Sequence, residues 1–149
     1  MGQHEVEFNA LKELLITTSN AKGVYGNYSE YYGDTQYIYL DALEKCDHPN
    51  NIAENSIYMG FKVDFLNRKV EYFRGGAVYL STKDKEDPRY KYMVMRSVSG
   101  IALDYGVKKF RKQGFKSIED LSNRIQTYYN KVIDALTEYT GGYPYKQGA

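Results

Sequence analysis

The stretch that decides the fold lies at residues 58–73, YMGFKVDFLNRKVEYF. In its first half every second residue is large and apolar, namely Met59, Phe61, Val63 and Phe65. The pair Asn67-Arg68 interrupts this alternation, and a second short run with strand character follows. Because successive side chains of a strand point to opposite faces, the pattern predicts a β-hairpin with one buried face.

Helix-like and strand-like segments flank this hairpin. Residues 5–18 place Val6, Leu11, Leu14 and Leu15 near one helical face, which predicts an amphipathic helix. Residues 34–43 are rich in Tyr, Ile and Leu and predict a strand, although their last part could instead begin a helix. Gly75-Gly76 is expected to bend or bulge the sheet before a further strand at 77–80.

The C-terminal third predicts helices. With Asp87 as N-cap and Pro88 in the first turn, we expect a long helix over about 88–112, ended by Gly114. A strand over 90–98 followed by a shorter helix fits nearly as well. Ser117 is expected to cap the last helix, with Asp120 three residues on. The apolar face of that helix reads Ile118, Leu121, Ile125, Tyr128, Val132, Leu136 and Tyr139.

Together these elements predict one α+β domain over residues 1–142. It would contain an N-terminal helix, an antiparallel sheet of about four strands, and a C-terminal helix pair packed on one face of the sheet. Residues 143–149 follow Gly141-Gly142 and form a short tail, for which the sequence leaves two interpretations open, a loose end or a docking arm.

Composition argues against several classes of protein. The 149 residues carry a net charge of +1, so no strong nonspecific field is expected. The single cysteine, Cys46, cannot form an internal disulfide. No apolar run approaches the roughly 18 residues of a membrane span. We therefore expect a cytoplasmic protein, or a virion component if the chain belongs to a phage, without membrane contact.

The residue patterns predict no cofactor, no metal, no catalytic residue and no small-molecule substrate. A nucleophile elbow, a phosphate-binding glycine loop and a dinucleotide fingerprint are all missing from the sequence. A zinc site would require Cys46, Asp47, His48 and the distant His4 to converge, because the chain holds no other cysteine or histidine. A polar turn around residues 46–48 is the simpler interpretation.

One stretch resembles a nuclease family. Within residues 22–41, Gly23-Val24-Tyr25 is followed by Tyr37-Ile38-Tyr39, and the pair resembles the paired strands of GIY-YIG nucleases. The resemblance implies metal-dependent DNA cleavage involving Tyr25 and Tyr37. However, Tyr39 stands where the family has glycine, and the next arginine is only Arg68, so the expected partner of the phosphate is missing. An ordinary strand pair is the favoured interpretation.

Nucleic-acid binding is the main alternative function. A cluster of cations surrounds Gly114, where we expect a turn between two helices that resembles a helix-turn-helix. The cluster comprises Lys108, Lys109, Arg111, Lys112 and Lys116. Against it, Glu119 and Asp120 occupy the first turn of the second helix, where they would repel phosphate.

Tyrosine is the strongest departure from average composition. The chain has 17 tyrosines and no tryptophan, and six of the tyrosines fall within residues 25–39. Tyrosine is enriched at contact surfaces because it buries a large area at a small cost in rotamer entropy. We therefore predict a noncatalytic protein-interaction or assembly protein, and a small inhibitor or immunity protein is equally consistent. The predicted contacts are Tyr25, Tyr28, Tyr31, Tyr32, Tyr143 and Tyr145.

Overall fold

The predicted hairpin forms the middle of the sheet. The computed structural model describes residues 2–42, 56–78 and 97–140. Strand β3 spans Ser56–Asp64 and strand β4 spans Lys69–Val78, with Asp64 opposite Lys69. Residues 77 and 78 continue β4, so the prediction of a separate strand there is wrong. Residues 79 and 80 lie outside the described part of the chain.

The sheet has five antiparallel strands, where the sequence predicts about four. Its order is β1-β2-β3-β4-β5, with β1 at Gly23–Tyr25, β2 at Thr35–Asp41 and β5 at Gln113–Gly114. The strand predicted over 34–43 is therefore confirmed as β2. The two edge strands are too short to show a clear alternation in the sequence, and β5 pairs only with Lys69 and Val70 at the start of β4.

Helix α1, Gln3–Thr18, confirms the predicted N-terminal helix. Its buried residues are Phe8, Leu11 and Leu15, spaced by three and four positions as a helical face requires. Val6 was expected on this face but is 48% exposed. It precedes Phe8 by two residues, which places it about 200° around the helix from the core.

Helix α2 is much shorter than predicted. It spans Val98–Asp104, and its N-cap is Ser97, whose Oγ accepts the Gly100 N–H at 3.0 Å. The expectation of a helix through residue 112 is wrong, because the chain leaves the helix at Gly106, which has φ of +83°. Residues 79–96, which include most of the 90–98 helix-or-strand alternative, lie outside the described residues.

Helix α3, Ile118–Thr140, begins where the sequence predicts. Ser117 Oγ accepts the Asp120 N–H at 3.0 Å, while Asp120 Oδ2 accepts the Lys116 N–H at 2.8 Å. The two bonds satisfy N–H groups at the start of the helix that have no intrahelical partner. The predicted apolar face is buried or partly buried except for Tyr139, which is exposed.

The helices and one face of the sheet enclose a single hydrophobic core, which confirms the α+β class. Fully buried Phe61 on β3 lies at its centre. The Phe61 ring meets those of Tyr72, Phe110 and Tyr128 edge to face, at centroid distances of 6.0, 6.0 and 6.2 Å. These contacts fix β4, the segment after α2, and α3 against the same strand.

Candidate functional site

The sheet face opposite the core, called here the outer face, is rich in aromatic side chains. Along β2, buried and partly buried residues alternate, and Tyr37 and Tyr39 occupy the partly buried positions that point away from the core. Tyr58 holds the same kind of position between two buried neighbours on β3. We define the aromatic cluster as Tyr31, Tyr32, Tyr37, Tyr39, Tyr58 and Phe73.

Four rings of the cluster form a continuous line. Tyr31 contacts Tyr32 at a centroid distance of 5.6 Å, Tyr32 contacts Tyr37 at 5.2 Å, and Tyr37 contacts Phe73 at 4.9 Å. Tyr31 is 91% exposed and Phe73 is 45% exposed. Such pairs contribute about 0.5–1.5 kcal/mol beyond their buried area, so the rings hold one another in place while remaining accessible.

A β-bulge brings Arg74 onto the outer face beside Phe73. Gly60 pairs with Arg74 and Phe61 pairs with Tyr72, which leaves Phe73 without an opposite residue. The Arg74 guanidinium then lies 5.5 Å from the Phe73 ring centroid and 5.7 Å from that of Tyr39. It connects Tyr39 to the line of rings through two cation–π contacts.

Glycines on the outer face give two of the rings room to lie against the sheet. A Cβ on Gly60 would lie 2.5 Å from Cε1 of Tyr39, closer than real side chains approach. A Cβ on Gly76 would lie 3.2 Å from Tyr58 Oη. Because both positions lack a side chain, the rings of Tyr39 and Tyr58 can rest over the backbone of the neighbouring strand.

A buried glutamine holds the turn that presents Tyr31 and Tyr32. These tyrosines lie in the 3₁₀ helix Glu30–Tyr32. Gln36 Oε1 accepts the Ser29 N–H at 3.0 Å, and its Nε2 donates to the carbonyl oxygens of Ser29 and Gly33 at 2.8 and 2.9 Å. Three bonds from a side chain with 0% exposure fix the turn relative to β2.

The other end of the outer face carries charges of both signs. Lys62 Nζ lies 3.9 Å from Glu71 Oε1. Asp64 accepts bonds from the Asn67 backbone N–H and side-chain Nδ2, each at 2.9 Å. Partial burial acts to raise the pKa of Asp64, but these bonds and the nearby Lys112 charge outweigh it and lower the pKa. This end therefore carries charges of both signs, with Lys62, Lys69 and Lys112 against Asp64 and Glu71.

The structure separates the tyrosines predicted as contacts. Tyr31 and Tyr32 lie in the aromatic cluster, and Tyr25 on β1 pairs with Tyr39. Tyr28 instead packs against buried Phe8, with ring centroids 6.2 Å apart, so it supports the core. Tyr143 and Tyr145 lie outside the described residues.

The predicted basic turn does not have the expected helix-turn-helix form. Lys108, Lys109, Arg111 and Lys112 are exposed, but they lie after α2 in an irregular segment that leads into β5. Lys112 lies close enough to Asp64 to affect its pKa, while Lys116 precedes the cap of α3. Gly114, predicted to form the turn, belongs to β5.

Both tyrosines named in the nuclease resemblance lie within the described residues. Tyr25 and Tyr37 lie on neighbouring paired strands, β1 and β2. Within residues 2–42, 56–78 and 97–140, no group of three His, Cys, Asp or Glu side chains is placed to hold a metal ion. Cys46, Asp47 and His48 lie outside the described residues.

Sequence reasoning missed Tyr58, Phe73 and Arg74 as parts of one surface. The alternation in 58–73 indicates that Tyr58 and Lys62 share a face. It does not reveal the bulge, which changes the face to which Arg74 points.

Comparisons with protein-family models, with curated proteins and with solved structures find no match to this chain. In the described part of the chain, no helix is both long enough and apolar enough to cross a membrane. Function is therefore inferred from the geometry of the outer face.

Proposed function

We propose that this chain is a noncatalytic recognition or assembly protein that binds a protein surface, its own or that of a partner, through the outer face. The observation that carries the proposal is the line of contacting rings from Tyr31 to Phe73, continued by Arg74. Tyrosine and arginine are among the residues that most often dominate the binding energy of protein interfaces.

The support around these rings favours binding. Gln36 fixes the turn that bears Tyr31 and Tyr32, and Gly60 accommodates the ring of Tyr39. A surface already held in place loses less conformational entropy when a partner orders it. The described residues thus contain a large aromatic area whose ordering is largely complete before binding.

The charge of the outer face favours protein over nucleic acid. Lys62 is close to Glu71 and Lys112 is close to Asp64, while Arg74 lies over the rings of Phe73 and Tyr39. Phosphate binding depends on uncompensated lysine and arginine, whereas protein interfaces have aromatic centres and mixed polar rims. Nucleic-acid binding by residues 108–116 stays a separate hypothesis, supported by the exposure of its cations.

The test compares a double variant, Tyr37→Ala with Phe73→Ala, against a control on α1, Val6→Ala with Ile16→Ala. The control also removes exposed large apolar side chains, but from a helix that packs on the core. Sedimentation velocity over a concentration series measures self-association. We expect the outer-face variant to weaken it roughly 30-fold or more, because one hot-spot ring contributes about 2 kcal/mol. The control should behave as wild type.

A second arm detects a different protein partner. A photo-reactive phenylalanine analogue replaces Tyr31, or Ile16 as the control, and the protein is irradiated in extract of its host cell. We expect a discrete crosslinked protein from position 31 that is lost when Phe73→Ala is added. If wild type does not self-associate and both positions give the same crosslinks, the outer face is not a binding surface.

A further inference from the structure

A groove distant from the aromatic cluster runs between helix α3 and the segment that follows α2. Leu103, Tyr105 and Phe110 line one side, and Tyr128, Lys131 and Glu138 line the other. Phe110 and Tyr128 belong to the core and form the base of the groove, with ring centroids 5.1 Å apart. The groove therefore has a rigid aromatic base where it meets the core.

Exposed apolar side chains stand at one end of this groove. Leu103 is 54% exposed and Tyr105 is 42% exposed. The Tyr105 ring meets that of Tyr139 edge to face at 6.3 Å, which ties this end to the last turns of α3. Together the three side chains form an apolar contact area that the folded core does not use.

Cations outnumber acids along the groove. Lys108, Lys109, Arg111, Arg124 and Lys131 line it, against Asp134 and Glu138. Arg124 is already engaged, since its Nε lies 3.2 Å from Asp120 Oδ2 and its Nη1 donates to Gln113 Oε1 at 3.1 Å. Among the described residues, the other four cations form no ion pair, so positive charge faces the groove uncompensated.

We propose that this groove binds an acidic amphipathic segment of a protein partner. The carboxylates of the segment would meet Lys108, Lys109, Arg111 and Lys131, while its apolar side chains would cover Leu103 and Tyr105. Amphipathic segments often bind proteins by placing apolar side chains in a groove while their charged side chains meet charges at its rim. Charge complementarity would raise the association rate and make binding sensitive to salt.

The same groove suits a phosphate backbone less well. Asp134 and Glu138 line the α3 side and would repel a phosphate backbone, which is charged at every unit, whereas an amphipathic peptide can place uncharged side chains opposite them. Tyr105 turns toward Tyr139 rather than standing free for base stacking. The apolar end has a role only if the partner carries apolar side chains.

The probe is a fluorescein-labelled peptide with leucine at helical i, i+3, i+4 and i+7 spacing and glutamate elsewhere. Fluorescence anisotropy measures its binding to the full chain across a salt series. The groove variant replaces Lys108, Lys109 and Arg111 by glutamine. The matched control replaces Lys69, Lys112 and Lys116, which changes net charge equally but lies outside the groove.

We expect the groove variant to bind roughly tenfold more weakly or worse, since three exposed charge pairs are lost. The control should bind as wild type, and Leu103→Ala should weaken binding in both low and high salt. Circular dichroism verifies that each variant is folded. The Tyr37→Ala, Phe73→Ala variant should keep full peptide affinity, which separates this proposal from the outer-face proposal.

Three outcomes would overturn the inference. The first is no binding of the acidic peptide at low salt. The second is equal weakening by the groove and control variants, which would indicate a general charge effect. The third is tighter binding of a single-stranded oligonucleotide of the same net charge, lost in the groove variant, which would assign the cations to nucleic acid.

Discussion

Two phenylalanines on neighbouring strands test which side of the sheet supports the fold. Phe61 on β3 has 0% exposure and faces the core, whereas Phe73 on β4 is 45% exposed on the outer face. Replacing a buried phenylalanine by alanine costs about 3–5 kcal/mol, and the three edge-to-face contacts of Phe61 place it in the upper part of that range.

Replacing Phe73 by alanine should lower the free energy of unfolding far less. Burying a whole phenylalanine side chain contributes about 1.5–3 kcal/mol, and roughly half of this side chain remains exposed, so we expect Phe73→Ala to cost about 1 kcal/mol. The variants should therefore differ by about 3–4 kcal/mol. Because urea slopes for small proteins are about 1–3 kcal/mol per molar, their unfolding midpoints should differ by roughly 1–4 M.

Equilibrium urea unfolding, followed by circular dichroism, gives both values. If Phe61→Ala does not fold, Phe61→Leu serves in its place with a smaller loss. A loss for Phe73→Ala equal to that for Phe61→Ala would mean that the outer face is covered in the folded molecule. It would then be unable to meet a partner, and the proposed function would fail with it.

Two further predictions concern buried polar groups. Tyr72 Oη is buried and forms no well-aligned hydrogen bond in the described part of the chain, and the neighbouring Ser99 side chain only partly offsets its burial, so Tyr72→Phe should leave stability at neutral pH unchanged or raise it by about 1 kcal/mol. Burial raises the pKa of Tyr72 to about 12 from 10.0. Tyr72 therefore ionises at lower pH in the unfolded chain than in the folded one, so the free energy of unfolding should fall as pH rises from 10.0 to about 12. The fall should be less steep in Tyr72→Phe. Urea unfolding near neutral and at alkaline pH measures both effects. Gln36→Leu should cost about 1–3 kcal/mol and speed hydrogen exchange of the Ser29 N–H, because it removes three bonds to the turn; unchanged exchange would contradict that role.

The local sequence pattern was sufficient to predict the central hairpin and helix α3. Alternating residues in 58–73 report a strand with one buried face, and Ser117 with Asp120 marks a helix start through bonds between near neighbours. These features depend on residues within a few positions of one another. They could be predicted because the residues that mark them lie within one stretch of sequence, even though packing in the core supplies most of their stability.

The segment after α2 shows where local pattern fails. Helical spacing of apolar residues predicted a helix through residue 112, yet the chain turns at Gly106 and places Phe110 against Phe61 and Tyr128. That contact joins elements about 50 residues apart on β3 and about 20 apart on α3. Burial of a large ring outweighs the small helix propensity of a few exposed residues.

The outer face depends on a still less visible feature, the bulge at Phe73. Simple alternation along β4 from buried Val70 through Tyr72 would point Arg74 into the core, at the cost of an unpaired buried charge. With one extra residue in β4, Phe73 and Arg74 both lie outward, and Arg74 reaches Tyr39 across the sheet. A protein that needed only a stable sheet could avoid this irregularity by placing a small apolar residue at 74. The presence of the bulge, together with glycines beneath two rings, supports the proposal that the second face of the sheet serves recognition rather than folding.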